Sequence, residues 1–223
     1  MKNKILIKAL SKISIGMILL MMLIFIPAGS LSFINGWIFL GLLFIPMLAV
    51  GIFLMIKNPS LLEKRLNSKE TESEQKVVLA INSFMFLAGF IVAGLDYRFS
   101  WFTLPEWMVI CGCIVFLLSY VMYAEVLREN TYLSRTIEVQ DNQKVIDTCL
   151  YGIVRHPMYS ATIVMFLSIP VILGSVFSLL IFLIYPFTLV KRILNEEEFL
   201  EKNLEGYSEY KIKVRYRLIP FIW

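Results

Sequence analysis

Histidine is nearly absent from this chain: among 223 residues there is one, His156. A metal site built on several imidazoles is thereby excluded. Cysteine is scarce too. Cys111, Cys113 and Cys149 are too few and too oddly placed for a disulfide framework. Cys111 and Cys113 stand two apart in an apolar run, so on a helix they point in different directions, and they read as small apolar side chains. Charge is the third shortage. Asp, Glu, Lys and Arg make up 17% of the residues, against about 25% in soluble domains. In their place the chain is 58% hydrophobic, with a mean hydropathy of +0.74. The excess is gathered into long runs, which points to a bilayer rather than an oversized core.

A spanning helix needs roughly 20 mostly apolar residues. Segments 10–29, 33–56, 76–96 and 106–127 meet that standard. A fifth apolar stretch, 157–194, is too long for one crossing and is interrupted at Leu173-Gly174-Ser175, just after Pro170. It reads as a tight helical hairpin. The expected fold is therefore all-α, a polytopic membrane bundle of about six transmembrane helices whose last two form the hairpin. With both termini cytoplasmic, all Lys and Arg residues except Arg98 fall on one side, in 1–12, 57–76, 128–156 and 191–223. This is the pattern of the positive-inside rule. The lysine-rich start followed by Ala28-Gly29-Ser30 also resembles a secretory signal peptide, but in a polytopic chain it reads as a retained first helix.

Polar chemistry is unevenly spread. Trp101, Phe102 and Trp107 suit an interfacial aromatic belt, and the charged loop 57–76 reads as a solvated connector. The chain divides into transmembrane helices over 1–127 and a chemistry-bearing region over 128–223. In the latter, Asp141-Asn142 is a turn signal between two short β-like runs spanning 137–146. His156-Pro157 marks the end of a loop, since proline favours the first helical turn. Tyr151 and Arg155-His156-Pro157-Met158-Tyr159 thus lie at one mouth of the hairpin, and Arg192 and Glu196, spaced i, i+4 on one helix face, lie at the other. Both ends return to the same side of the membrane, so these groups are expected to be neighbours. Ionisable groups at a membrane boundary that face a bundle interior are candidates for a functional site.

The order Tyr-x-x-x-Arg-His-Pro-x-Tyr, an apolar hairpin, Arg-x-x-x-Glu-Glu-x-x-Leu, Tyr-x-x-Tyr and a late Ile-Pro resembles the isoprenylcysteine carboxyl methyltransferase family and related phospholipid methyltransferases over about 128–223. The resemblance implies methyl transfer from S-adenosylmethionine within the membrane. It implies cofactor contacts from Tyr151, His156, Pro157, Met158, Tyr159 and Glu196, with Arg192 facing the methyl acceptor. Where the eukaryotic enzymes carry His-x-Leu-Val, this chain has Gln143-Lys144-Val145-Ile146, so that histidine is missing. Gln140 matches a cofactor-binding glutamine of the family, at a shorter spacing. Cys149 stands where glycine is common.

These roles are chemically consistent. A carboxylate such as Glu196 suits the amino group of the methyl donor, and tyrosines suit its adenine. A carboxylate acceptor needs no general base and can be oriented by Arg192 through a bidentate contact. An amine acceptor needs deprotonation, for which His156 is the histidine at hand. The expected activity is a methyltransferase working on a lipid-like or prenylcysteine-like carboxylate. Phospholipid N-methylation is an alternative, because those enzymes share the paired-glutamate layout. An NADPH-dependent membrane lipid reductase is disfavoured, since Glu196-Glu197-Glu198 would repel a nucleotide phosphate. A non-enzymatic membrane subunit is a further alternative. The expected partners are membrane lipids and a lipid-like or small-molecule acceptor, without metal or nucleic acid. The expected place is a bacterial inner or plasma membrane with the site facing the cytoplasm. The hairpin is apolar along Ile163–Ile169 and Val176–Ile184, which suits lateral entry of the acceptor from the bilayer.

Overall fold

The computed structural model describes residues 2–66, 73–133 and 139–223. The fold is all-α. Helix α1 (Lys2–Ala28) and α2 (Ile34–Lys57) form the first pair, α3 (Pro59–Leu66) is a short helix after it, and α4 (Ser73–Phe99) and α5 (Glu106–Glu129) follow. After a loop and a single tight turn at Cys149–Gly152 come α6 (Pro157–Ile172), α7 (Val176–Phe182), α8 (Ile184–Asn203) and α9 (Tyr207–Lys213).

Among the described residues five helices are long and apolar enough to cross a bilayer: Leu6–Ala28, Ile34–Lys57, Lys76–Phe99, Glu106–Glu129 and Val176–Asn203. The chain is an integral membrane protein. Helix α6, the first arm of the expected hairpin, is equally apolar but has 16 residues, short of the roughly 20 that a full crossing takes. Its partner arm combines α7 and α8. They part at Leu183 because Pro186 has no N–H to offer the carbonyl of Phe182, one turn back.

Little drives helices together in lipid except close van der Waals contact and hydrogen bonds, so small residues sit at the crossings. A Cβ on Gly94 of α4 would lie 2.6 Å from the Ile24 carbonyl oxygen of α1. One on Gly112 of α5 would come within 3.0 Å of Val171 on α6. One on Gly89 would strike the Phe182 ring, and Ser178 Oγ donates to the Gly89 carbonyl at 2.9 Å. Around these contacts Phe39, Phe90, Phe116 and Phe182 form the aromatic centre of the bundle.

The hairpin turn falls at the expected place, with Gly174 at φ +77°. Ser175 caps α7 by accepting from Ser178 N at 3.1 Å and donates to Asp96 Oδ2 at 2.6 Å. Asp96, buried, also accepts from Phe102 N at 3.0 Å. The turn and the α4–α5 loop are thereby latched together.

Two expectations change. The loop 57–76 is not simply solvated, because α3 buries Leu61 and Leu62 against Leu54 and Leu127; its alternation of apolar and charged residues suits a helix lying along the bundle. No strand flanks Asp141-Asn142 among the described residues, and Ile137-Glu138 lie outside them. The turn itself is there: Asn142 has φ +57° and Gln143 N donates to the Gln140 carbonyl at 3.0 Å.

Candidate functional site

The polar region folds into a bowl at the end of the bundle where α5 and α8 terminate and α6 begins. Pro157 starts α6 at its first turn and His156 occupies the N-cap position. Ahead of them, the tight turn at Cys149–Gly152 carries Tyr151 inward. Cys149 sits at φ +49°, a left-handed conformation that explains why glycine would be at home there. Its exposed thiol has a raised pKa, chiefly from the charge of the nearby Glu129 carboxylate.

The bowl encloses a cavity of about 850 Å³, its mouth included. Gln143, Lys144, Val145 and Ile146 form one wall, Tyr151, His156, Met158 and Tyr159 the base, and Arg192 and Glu196 of α8 the opposite wall. With Arg155, which also lines it, the cavity brings together eleven of the residues singled out in the sequence. Two stand outside the cavity. Gln140 uses its amide to donate to the Tyr132 carbonyl at 2.6 Å, while its N–H donates to Gln143 Oε1 at 2.9 Å; it braces the wall instead of facing the cavity. Pro157 is buried as the first residue of α6 and serves to start the helix.

Arg192 and Glu196 are linked through a third residue. Tyr159 donates its hydroxyl hydrogen to Glu196 Oε2 at 2.5 Å and accepts from Arg192 Nε at 2.9 Å. The i, i+4 pair on α8 is thus bridged by a phenol from α6, and the two hairpin arms are tied at the cavity wall.

Beneath this lies a group that the sequence reading passed over. Glu197 is 3% exposed. Its Oε1 accepts from Arg155 Nε at 2.7 Å and lies 3.2 Å from His156 Nε2, and its Oε2 accepts from Arg217 Nε at 2.9 Å. Arg155 also donates from Nη1 to the carbonyls of Val214 and Arg215 at 2.7 and 2.8 Å. A buried carboxylate surrounded in this way satisfies the rule that buried charges are paired and hydrogen-bonded. A signal for it existed: Tyr185, Leu189, Ile193 and Glu197 form one buried stripe at i, i+4 spacing.

The far rim was also unforeseen in detail. Asn130 Nδ2 donates to the Tyr151 hydroxyl at 3.1 Å, and Tyr210 donates to the Tyr151 carbonyl at 2.8 Å. Tyr207, with Leu200 and Leu204, closes the apolar side of the cavity. Burial raises the pKa of both Tyr207 and Tyr210, so they stay neutral phenols.

Two further cavities lie within the membrane-spanning part. One of about 2140 Å³, the open space at its edges included, is lined mostly by apolar side chains of α1, α2, α3, α4, α5, α6 and α8 and shares Met158, Tyr159 and Arg192 with the polar cavity. The charged side chains on its wall are Lys12 and Arg192, both cationic. It adjoins an open cleft of about 860 Å³ across Leu20, Leu43, Ser83, Phe86 and Phe166. That cleft is bordered by Leu20 and Leu23 of α1 and by Ser83 and Leu87 of α4; from the hairpin only Phe166 and Ile169 contribute.

The polar cavity has the donor set that S-adenosylmethionine requires. Glu196 offers a carboxylate for the ammonium group, and the tyrosines and leucines offer flat and apolar surface for adenine. Comparison with known families agrees. Residues 107–206, from the start of α5 to the end of the α8–α9 turn, match the family described as phospholipid methyltransferase. No curated protein matches the chain. Over that stretch the chain is similar to this family, whose members are membrane methyltransferases that take the methyl group from S-adenosylmethionine.

Proposed function

We propose that the polar cavity holds the methyl donor, and that the apolar cavity behind Tyr159 and Arg192 holds the chain of a lipid-like acceptor carrying a carboxylate. The observation that carries this reading is the shared wall. Met158, Tyr159 and Arg192 border both cavities, so a methyl group on one side and an acceptor oxygen on the other can meet there. The bound donor supplies an electrophilic methyl on a sulfonium, and the protein's task is alignment and exclusion of water, which together supply much of the rate in such displacements.

In this reading Glu196 holds the donor's amino group, already oriented by the Tyr159 hydroxyl. Gln143, Lys144, Val145 and Ile146 shape the wall beside it, and Tyr151, Tyr207 and Leu204 enclose the adenine. His156, with Nε2 against Glu197, acts as a positioning residue for this floor. Arg192, reaching the boundary from α8, orients the acceptor carboxylate. Cationic wall groups and, among the described residues, no carboxylate on the apolar side favour an anionic head group. The acceptor's chain enters between α1 and α4 through the open cleft. Both termini and the cavity mouth lie in the cytoplasm, because the Lys and Arg residues other than Arg98 cluster there, and α6 with α7–α8 completes a six-segment bundle.

The family description favours one second reading, transfer to a phospholipid amine. A single assay separates the two. Reconstituted protein is incubated with methyl-labelled S-adenosylmethionine and membrane lipids, and the lipid product is treated with base. A methyl ester releases volatile methanol, whereas an N-methyl product retains its label; retention would overturn the carboxylate reading. For the cofactor site, Glu196→Gln should weaken equilibrium binding of S-adenosylmethionine by about tenfold, the loss of one charge-assisted contact of roughly 1.4 kcal/mol. Unchanged binding would place the donor elsewhere.

A further inference from the structure

On α8 the outward apolar face ends at Leu194 and polar residues take over the surface. Among the described residues beyond it, large hydrophobic side chains stand exposed at Ile212, Ile219, Phe221 and Ile222, the last two at 87% and 76%. Three of the four fall within one tight turn.

That turn is pinned to the start of α6. Arg155 N and His156 N donate to the carbonyls of Tyr216 and Arg217, each at 2.9 Å, and Ser160 Oγ donates to the Leu218 carbonyl at 2.7 Å. Residues 216–218 therefore run beside the first turn of α6, where that helix enters the apolar bundle. Leu218 is buried in the main core cluster, and Trp223 packs against the same cluster. Residues 219–222 are held between these two anchor points.

The turn is also internally closed. The N–H groups of Arg217, Leu218 and Ile219 converge on the Trp223 carbonyl at 2.9, 2.9 and 3.1 Å, and Trp223 N returns to the Ile219 carbonyl at 3.1 Å. Phe221 is held at φ +67°, a conformation that bulky residues rarely adopt. Arg217 lies over the Trp223 ring, 5.2 Å from its centroid. Such a turn presents Phe221 and Ile222 outward as a fixed shape.

Three of the cations beside it are paired within the protein: Lys211 with Glu201 at 2.8 Å, Lys213 with Asp147 at 2.5 Å and Arg217 with Glu197 at 2.9 Å. Arg215 is exposed next to them. Exposed aromatic and aliphatic side chains beside the start of an apolar helix match a bilayer boundary, where apolar groups sink a few ångströms below the phosphates and a base remains among them.

We propose that the Ile219–Ile222 turn is an interfacial anchor, inserting Phe221 and Ile222 into the head-group boundary of the adjacent leaflet while Arg215 lies among the head groups. The occupant is the bilayer in which the protein is already embedded, and the turn fastens the 214–218 segment that supports Arg155 and Glu197.

The test is a depth measurement. Nitroxide labels are placed singly at 221, 222 and, as an aqueous control, at the exposed Ser208, in full-length protein with Cys111, Cys113 and Cys149 replaced by alanine. The protein is reconstituted in phosphatidylcholine–phosphatidylglycerol vesicles. Labels at 221 and 222 should collide with a water-soluble nickel chelate roughly threefold less often than the label at 208, and more often with oxygen, as side chains a few ångströms below the phosphates do. Equal nickel accessibility at all three positions would overturn the proposal. Dipolar broadening between labels at 221 would overturn it too, because a second copy would then cover the turn.

Discussion

Glu196 and Glu197 are adjacent in sequence and do opposite work. Glu196 reaches the cavity wall and is met by Tyr159, whereas Glu197 points into the protein and gathers Arg155, His156 and Arg217. Neutralising Glu197 leaves buried cations without their counter-charge. Glu197→Gln should therefore cost about 3 kcal/mol, read as a fall of roughly 10 °C in the unfolding midpoint in detergent. Glu198→Gln is the control. Its carboxylate pairs with Lys202 on the surface, both side chains more than two-thirds exposed, so the midpoint should stay in place. The sequence could place a carboxylate opposite Arg192, because that pairing is local at i, i+4. Separating the two glutamates required following the buried stripe from Tyr185 through Ile193 one turn further. Gln140 shows what matching positions leaves open: it has a suitable residue type, and in the fold it bonds Tyr132 and Gln143 beside the residues that line the cavity.

Helix crossings depend on glycines whose role differs by site. A Cβ on Gly94 meets the backbone of α1, which cannot move aside, whereas one on Gly16 would meet nothing within 4 Å. Gly94→Ala should push α1 from α4 and destabilise the bundle by about 1–3 kcal/mol, the usual cost of overpacking, while Gly16→Ala should leave the thermal midpoint unchanged or raise it. Long apolar helices were legible as elements because length and hydropathy suffice to define them. The short helix α3 was not, since its charged residues hide a buried pair, Leu61 and Leu62, that is apparent only once α2 and α5 are beside it. The break between α7 and α8 was signalled by Pro186 but lay inside a continuous apolar run, so composition alone did not reveal it. The hairpin turn, marked by Gly174 and capped by Ser175, was readable because those residue types do specific backbone work.

At the scale of the whole molecule, the two kinds of cavity divide the labour between water and lipid. Polar groups line the compartment at the bundle's end, apolar groups line the two within it, and Met158, Tyr159 and Arg192 stand between. Ser83, on α4, borders both apolar cavities. Ser83→Trp should close the passage between them, lowering turnover of a long-chain acceptor severalfold while the affinity for S-adenosylmethionine is unchanged; parallel binding and turnover measurements on reconstituted protein check this. An equal loss with a short-chain analogue would mean that the chain does not pass there. Sequence reasoning reached lateral entry and assigned it to the hairpin, whose apolar arms invite that reading. Phe166 and Ile169, both within Ile163–Ile169, do line the open cleft, and α1, α2 and α4 supply the rest of its lining.

The latch between Ser175 and Asp96 bears on something other than catalysis. None of the three cavities draws a lining residue from the hairpin turn or from the α4–α5 loop, and at that end a buried carboxylate is held by a hydroxyl and a backbone N–H. The latch therefore belongs to the framework that holds the helices together, at the other end of α6 from the groups that line the polar cavity.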